Sequence, residues 1–73
     1  MLDLSKLSIG QKVCYQPSHY KENGIFENGL IKEISQHTTE AVRVIYNCKN
    51  DWKNYKNYTS ALTNLRDLQL GWK

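Results

Sequence analysis

Long hydrophobic runs are missing from this chain: no apolar stretch comes near the roughly 20 residues that a bilayer-spanning helix requires. Residues Met1 to Gly10 alternate too much between apolar and polar to form a signal-peptide core. Cysteine is scarce as well. Two cysteines are too few for the multi-bridge framework of a small secreted domain, so the expected compartment is the reducing cytoplasm. The chain holds serine, histidine, aspartate and cysteine, yet no nucleophile elbow, phosphate-cradling glycine loop or metal motif organises them, and no enzyme activity or cofactor is expected.

Net charge is small too. Ten Lys plus Arg against seven Asp plus Glu give +3, which permits contact with nucleic acid without demanding it. What is present is an ordinary globular composition, 40% hydrophobic and 23% charged, in 73 residues. A chain this short buries only about 60% of the surface its unfolded form exposes. One small β-barrel domain over residues 1–73 is expected, with residues 1–8 as a loose lead-in. So thin an aliphatic core needs several of the two Trp and five Tyr for packing.

The strands can be read from alternation and turn chemistry. Lys12-Val13-Cys14-Tyr15 follows a Gly10-Gln11 turn, points Val13 and Tyr15 inward, and ends at Pro17. A polar loop from Ser18 to Glu27 carries the turn signal Asn23-Gly24. The central hairpin pairs Asn28 to Ile34 with Ala41 to Tyr46 across a polar tip. Strict alternation turns Leu30 and Ile34 inward and Ile31 outward, and a bulge between Ile31 and Ile34 would bring both isoleucines in. Tyr58 to Thr63 is a fourth strand. A short 3₁₀ turn over Asn64 to Asp67 leads to a fifth at Leu68 to Leu70.

Ile9-Gly10-Gln11-Lys12-Val13, Asn28-Gly29-Leu30-Ile31-Lys32-Glu33-Ile34, Val42-Arg43-Val44-Ile45-Tyr46 and Leu62-Thr63-Asn64-Leu65-Arg66-Asp67-Leu68 occur in an order that resembles a Src-homology-3-like small barrel, most similar to Tudor-type domains. The resemblance implies an all-β, five-stranded, strongly bent barrel that binds peptides, modified side chains or nucleic acid rather than catalysing a reaction. The chain departs from the Tudor pattern after Tyr46, where Asn47-Cys48-Lys49-Asn50-Asp51-Trp52 replaces an acidic, aromatic and glycine turn. As a whole it also looks like small proteins carried by phages and mobile elements.

The richest stretch for binding runs from Tyr46 to Tyr58. Trp52, Tyr55 and Tyr58 alternate there with Lys49, Lys53 and Lys56, and Arg43 lies just upstream. Aromatic faces stack on unpaired bases while lysines meet phosphate, so these residues predict a site for single-stranded nucleic acid. The alternative is a protein-interaction adaptor or inhibitor module, using a groove between the Ser18 to Glu27 loop and Trp52. Tyr20, Phe26, Tyr46 and Trp52 could make an aromatic cage for a cation there, helped by Asp51 or Glu27. Cys14, His19, His37 and Cys48 are zinc-ligand types without zinc-site spacing, and no metal is expected. The vectors of Cys14 and Cys48 should diverge, which leaves two free thiols.

Overall fold

The computed structural model describes residues 4–34, 40–46 and 48–73. The chain forms β1 (Lys12–Tyr15), α1 (Ser18–Glu22), β2 (Glu27–Glu33), β3 (Ala41–Ile45), β4 (Ala61–Asn64) and β5 (Leu68–Leu70). Short 3₁₀ segments cover Leu4–Lys6, Trp52–Asn57 and Leu65–Asp67. All five strands join one antiparallel sheet in the order β4-β3-β2-β1-β5.

That order forces a strong curl. The outer strands of a flat five-stranded sheet would lie about 19 Å apart, at about 4.8 Å per gap. Yet β4 and β5 are joined only by Leu65–Asp67, and a 3₁₀ turn rises about 2 Å per residue. The two ends of the sheet must therefore approach one another. No ladder joins β4 to β5, so the sheet stays open along this seam. The 3₁₀ turn before the last strand, expected from the sequence, is the hinge that makes the approach possible.

Inside the curl sit Val13, Ile31, Val42 and Val44, all fully buried, with Leu7, Leu65 and Leu68. Each such side chain contributes about 1.5–3 kcal/mol of hydrophobic stabilisation. Leu4, Tyr15, Ile34 and Tyr46 pack at the margins. Leu7 thus draws the first described turn of the chain onto the core, where residues 1–8 were expected only as a lead-in.

Strict alternation assigns Leu30 and Ile31 to the wrong faces. Ile31 lies in the main core, paired with Val44, while Leu30, paired with Ile45, points to the opposite face and is buried there. The bulge exists. Register shifts between Ile31 and Glu33, so Ile34 rather than Glu33 returns to the core side, one residue later than strict alternation allows.

The opposite face is covered too. Cys14, Leu30 and Ile45 share it by strand alternation and are all buried. After β5, Gly71 turns the chain at φ 83° and its N–H bonds to the Lys12 carbonyl. Trp72 then donates from Nε1 to the Gly29 carbonyl at 2.8 Å. Lys73 N–H donates to Asn28 Oδ1 at 3.1 Å, completing a strap across β2.

Two local departures from the sequence reading affect the site. The Ser18 to Glu27 stretch is not loop throughout: α1 occupies its first half, with Pro17 at the N-cap position and Tyr20 and Lys21 bonding back to the Pro17 carbonyl. The fourth strand begins at Ala61 rather than Tyr58, since residues up to Asn57 form the second 3₁₀ segment. No helix among the described residues is long and apolar enough to cross a membrane.

Candidate functional site: a tyrosine groove at the open seam

Tyr15 closes β1. Two residues beyond Val13, it shares the inner face, and its strand partners are Glu27 on β2 and Leu68 on β5. Because β1 ends here, the ring is only half covered. Tyr20, carried by α1, approaches it edge-on at 5.3 Å between centroids, and Tyr46, just past β3, does so at 5.7 Å. Edge-to-face pairs of this kind contribute about 0.5–1.5 kcal/mol beyond their burial and fix ring orientation. His19 meets the far side of Tyr20 at 4.8 Å.

Tyr46 is anchored a second time through its hydroxyl, 2.8 Å from Thr63 Oγ1 on β4. This ties the end of β3 to the edge of the sheet. Burial pushes the Tyr46 hydroxyl pKa far up, and the nearby charges of Glu27 and Asp67 push in the same direction. Tyr15 is raised as well, first by burial and then by Asp67, Tyr20 and Glu27. The same two carboxylates thus act on both hydroxyls.

A groove of about 320 Å³ runs along the seam, lined by Tyr15, Tyr46, Glu27 and Asp67 and by the whole of β4. A second hollow of about 510 Å³ lies across Tyr15, among Pro17, Ser18, His19, Arg66 and Asp67. Tyr15 and Asp67 line both, so they form the ridge between them. The backbone holds that ridge in place: Gln16 N–H donates to the Asp67 carbonyl at 2.9 Å. Among the described residues, the charged side chains that line the first groove are two carboxylates and no cation.

The residues singled out from Tyr46 to Tyr58 divide between two places. Tyr46 belongs to the groove. Beyond it, Lys49 and Asn50 take left-handed backbone angles, φ 52° and 66°, and turn the chain toward the 3₁₀ segment, which packs against β2. Asp51 organises that segment, accepting from Asn54 Nδ2 and from the Tyr58 hydroxyl, each at 2.9 Å. Hydrogen bonding to this carboxylate raises the Tyr58 pKa. Trp52 lies against Trp72 at 4.8 Å, and Lys12 Nζ sits 4.8 Å from the other ring's centroid.

Tyr55 sets its hydroxyl beside Gly10, where even a methyl group would come within 3.2 Å of it. Lys49, Lys53 and Lys56 are exposed, with Lys56 Nζ 6.0 Å from the Tyr55 ring. Lys32 Nζ donates to the Tyr58 carbonyl at 2.9 Å, and Arg43 pairs with Glu33 at 3.8 Å on the solvent side. Of the predicted cage, Tyr20 and Tyr46 come together around Tyr15, and Glu27 supplies the acid. Phe26 is 41% exposed and does not line the groove, while Trp52 is engaged with Trp72.

Sequence reading turned Tyr15 inward, as the structure does, but did not place it in a site, and it overlooked Asp67, Trp72 and Lys12. The inward parity of Tyr15 was visible, but its position at a strand end beside Asp67 depends on the β1 to β5 register. Cys14 and Cys48 are free and fully enclosed, and burial raises the Cys14 thiol pKa despite the opposing charge of Lys73. Cys14 lies on β1, His19 packs on Tyr20, and His37 falls outside the described residues. Among the described residues, no three His, Cys, Asp or Glu side chains are grouped to hold a metal ion. Compared with known proteins, the chain matches no family model, no curated protein and no solved structure.

Proposed function

We propose that the protein is a non-catalytic binding module, a Src-homology-3-like barrel with a Tudor-like layout, that engages a cationic segment of a partner protein through the seam groove. The barrel assignment is supported by the strand order and by the 3₁₀ turn that joins the two ends of the sheet. The single observation that carries the functional reading is Tyr15 standing edge-on between Tyr20 and Tyr46 with Glu27 and Asp67 beside it. Ring faces attract a cation at about 0.5–2 kcal/mol, and the carboxylates of Glu27 and Asp67 add to that attraction.

The chain's overall charge of +3 is opposite in sign to this groove, so a basic partner must be drawn by the local field. An adaptor or inhibitor acting in the cytoplasm fits such a site, and two enclosed free thiols accord with a reducing compartment. Titration of a lysine-rich peptide followed by heteronuclear NMR tests the reading. Shifts should concentrate at Tyr15, Tyr46 and Asp67, and an acidic peptide of equal length should produce none. Shifts from both peptides alike, or from neither, would remove the proposal.

A second reading keeps the nucleic-acid role. Lys49, Lys53 and Lys56 are exposed on one short segment, as phosphate contacts require. Its aromatics are engaged within the molecule, Trp52 on Trp72 and Tyr58 on Asp51, which leaves less ring surface for stacking. Labelled single-stranded oligonucleotide titrated at two salt concentrations decides it: binding must strengthen as salt falls.

A further inference from the structure

We infer that the groove receives its ligand as an added β-strand: an extended, cationic segment of a partner protein pairs with the free edge of β4. The inference rests on the groove reading above and specifies how the segment is held. β4 is terminal in the sheet, and its whole length lines the groove. Beyond its ladder with β3, the backbone of Ala61 to Asn64 accepts one bond among the described residues, from Thr63 Oγ1 to the Ala61 carbonyl. The remaining outward N–H and C=O groups form a template for another strand.

Natural edges are usually blocked by charge, proline or bulges. From Tyr58 to Asn64 this chain carries no Asp, Glu, Lys, Arg or Pro, and Leu62 is 59% exposed. The other edge differs. β5 is three residues long and is followed at once by the Gly71 turn into the Trp72 strap. The charged lining of the groove chooses the occupant: Glu27 and Asp67 call for a cation, which a second copy of the uncharged β4 cannot supply. Strand addition draws affinity from the main chain and specificity from alternate side chains, here lysine or arginine directed at the carboxylates.

The test uses a blocked heptapeptide alternating valine and lysine, with two derivatives N-methylated on one or the other alternate set of backbone nitrogens. The parent peptide should bind saturably and slow hydrogen exchange at the Ala61 to Asn64 amides. One derivative should bind about tenfold more weakly and the other unchanged, because only alternate N–H groups of an added strand face its neighbour. Equal binding of all three with shifts at Tyr15 and Tyr46 would overturn strand addition and leave the groove reading standing. Absence of binding by any of the three would overturn both. Doubled mass with slowed β4 exchange in the absence of peptide would overturn the proposal in favour of self-pairing.

Discussion

Gly29→Ala should destabilise the protein more than its size suggests. β2 and β3 approach so closely at this residue that an added Cβ would lie 2.6 Å from the Ile45 carbonyl oxygen, 2.7 Å from Val44 Cγ1 and 3.0 Å from Tyr46 Cδ1. The first contact is with backbone inside a ladder, and the second is with a fully buried core residue. Neither can yield cheaply. Overpacking of this kind costs about 1–3 kcal/mol, against a gain of about 0.4–1 kcal/mol from reduced unfolded-state entropy. A net loss of about 1.3 kcal/mol corresponds to a Tm lower by roughly 5–10 °C in a domain of this size.

Gly24→Ala is the control. Gly24 has open space around it and a φ of 66°, so alanine there meets only the left-handed backbone penalty of about 1–2 kcal/mol. Asparagine at position 24 should recover much of the loss, whereas no side chain can be accommodated at position 29. Thermal unfolding followed by far-UV circular dichroism measures all three. Gly29→Ala melting within about 2 °C of the parent would refute the claimed approach of the strands. The same variant should weaken peptide binding, since Tyr46 must move to admit the methyl group.

Trp72→Phe keeps a ring beside Trp52 and Lys12 but leaves the Gly29 carbonyl without its 2.8 Å donor, so urea unfolding should show a loss of about 1–2 kcal/mol. Alkaline pH should also destabilise the fold. The Tyr46 pKa is raised in the folded state, so above the ordinary tyrosine value of about 10 the unfolded chain loses its proton first and stability falls as pH rises. Denaturation midpoints from pH 8 to pH 11 should therefore decline, and less steeply in Tyr46→Phe. Cys14 and Cys48 should resist a thiol reagent in native buffer and both react in denaturant; rapid native labelling would contradict their burial.

Much of the sheet was legible because its punctuation is local. Pro17 marks the end of β1, and the 3₁₀ turn and β5 lie within a residue of where helical and alternating spacing change over. Leu30 and Ile31 were misassigned because alternation discriminates only when one face meets water. In β2 both faces are covered, and Gly29, Leu30 and Ile31 are all buried in succession. Trp72 crosses β2 by its bond to Gly29, a contact that spans 43 residues and has no local signal. α1 was missed because five residues give too little periodicity, even though Pro17 marked its start.

The site shows the same division. Tyr20, Tyr46 and Glu27 were visible as aromatic and acidic residues, but Tyr15 was turned inward without being placed in a site, and Asp67 comes beside it only through the pairing of β1 with β5. The Tyr46 to Tyr58 stretch misleads as a single unit. Its composition is continuous, yet the left-handed pair Lys49 and Asn50 redirects the chain, and Asp51 ties Tyr58 down on the far side.

The most direct test of the central claim is calorimetric titration of the alternating valine and lysine peptide into the parent protein and into the double variant Glu27→Gln, Asp67→Asn. Both substitutions preserve size while removing the charge that faces Tyr15 and Tyr46. The account predicts saturable binding by the parent and a loss of about tenfold or more in the variant, with unchanged Tm. Equal affinity in the two proteins would contradict it.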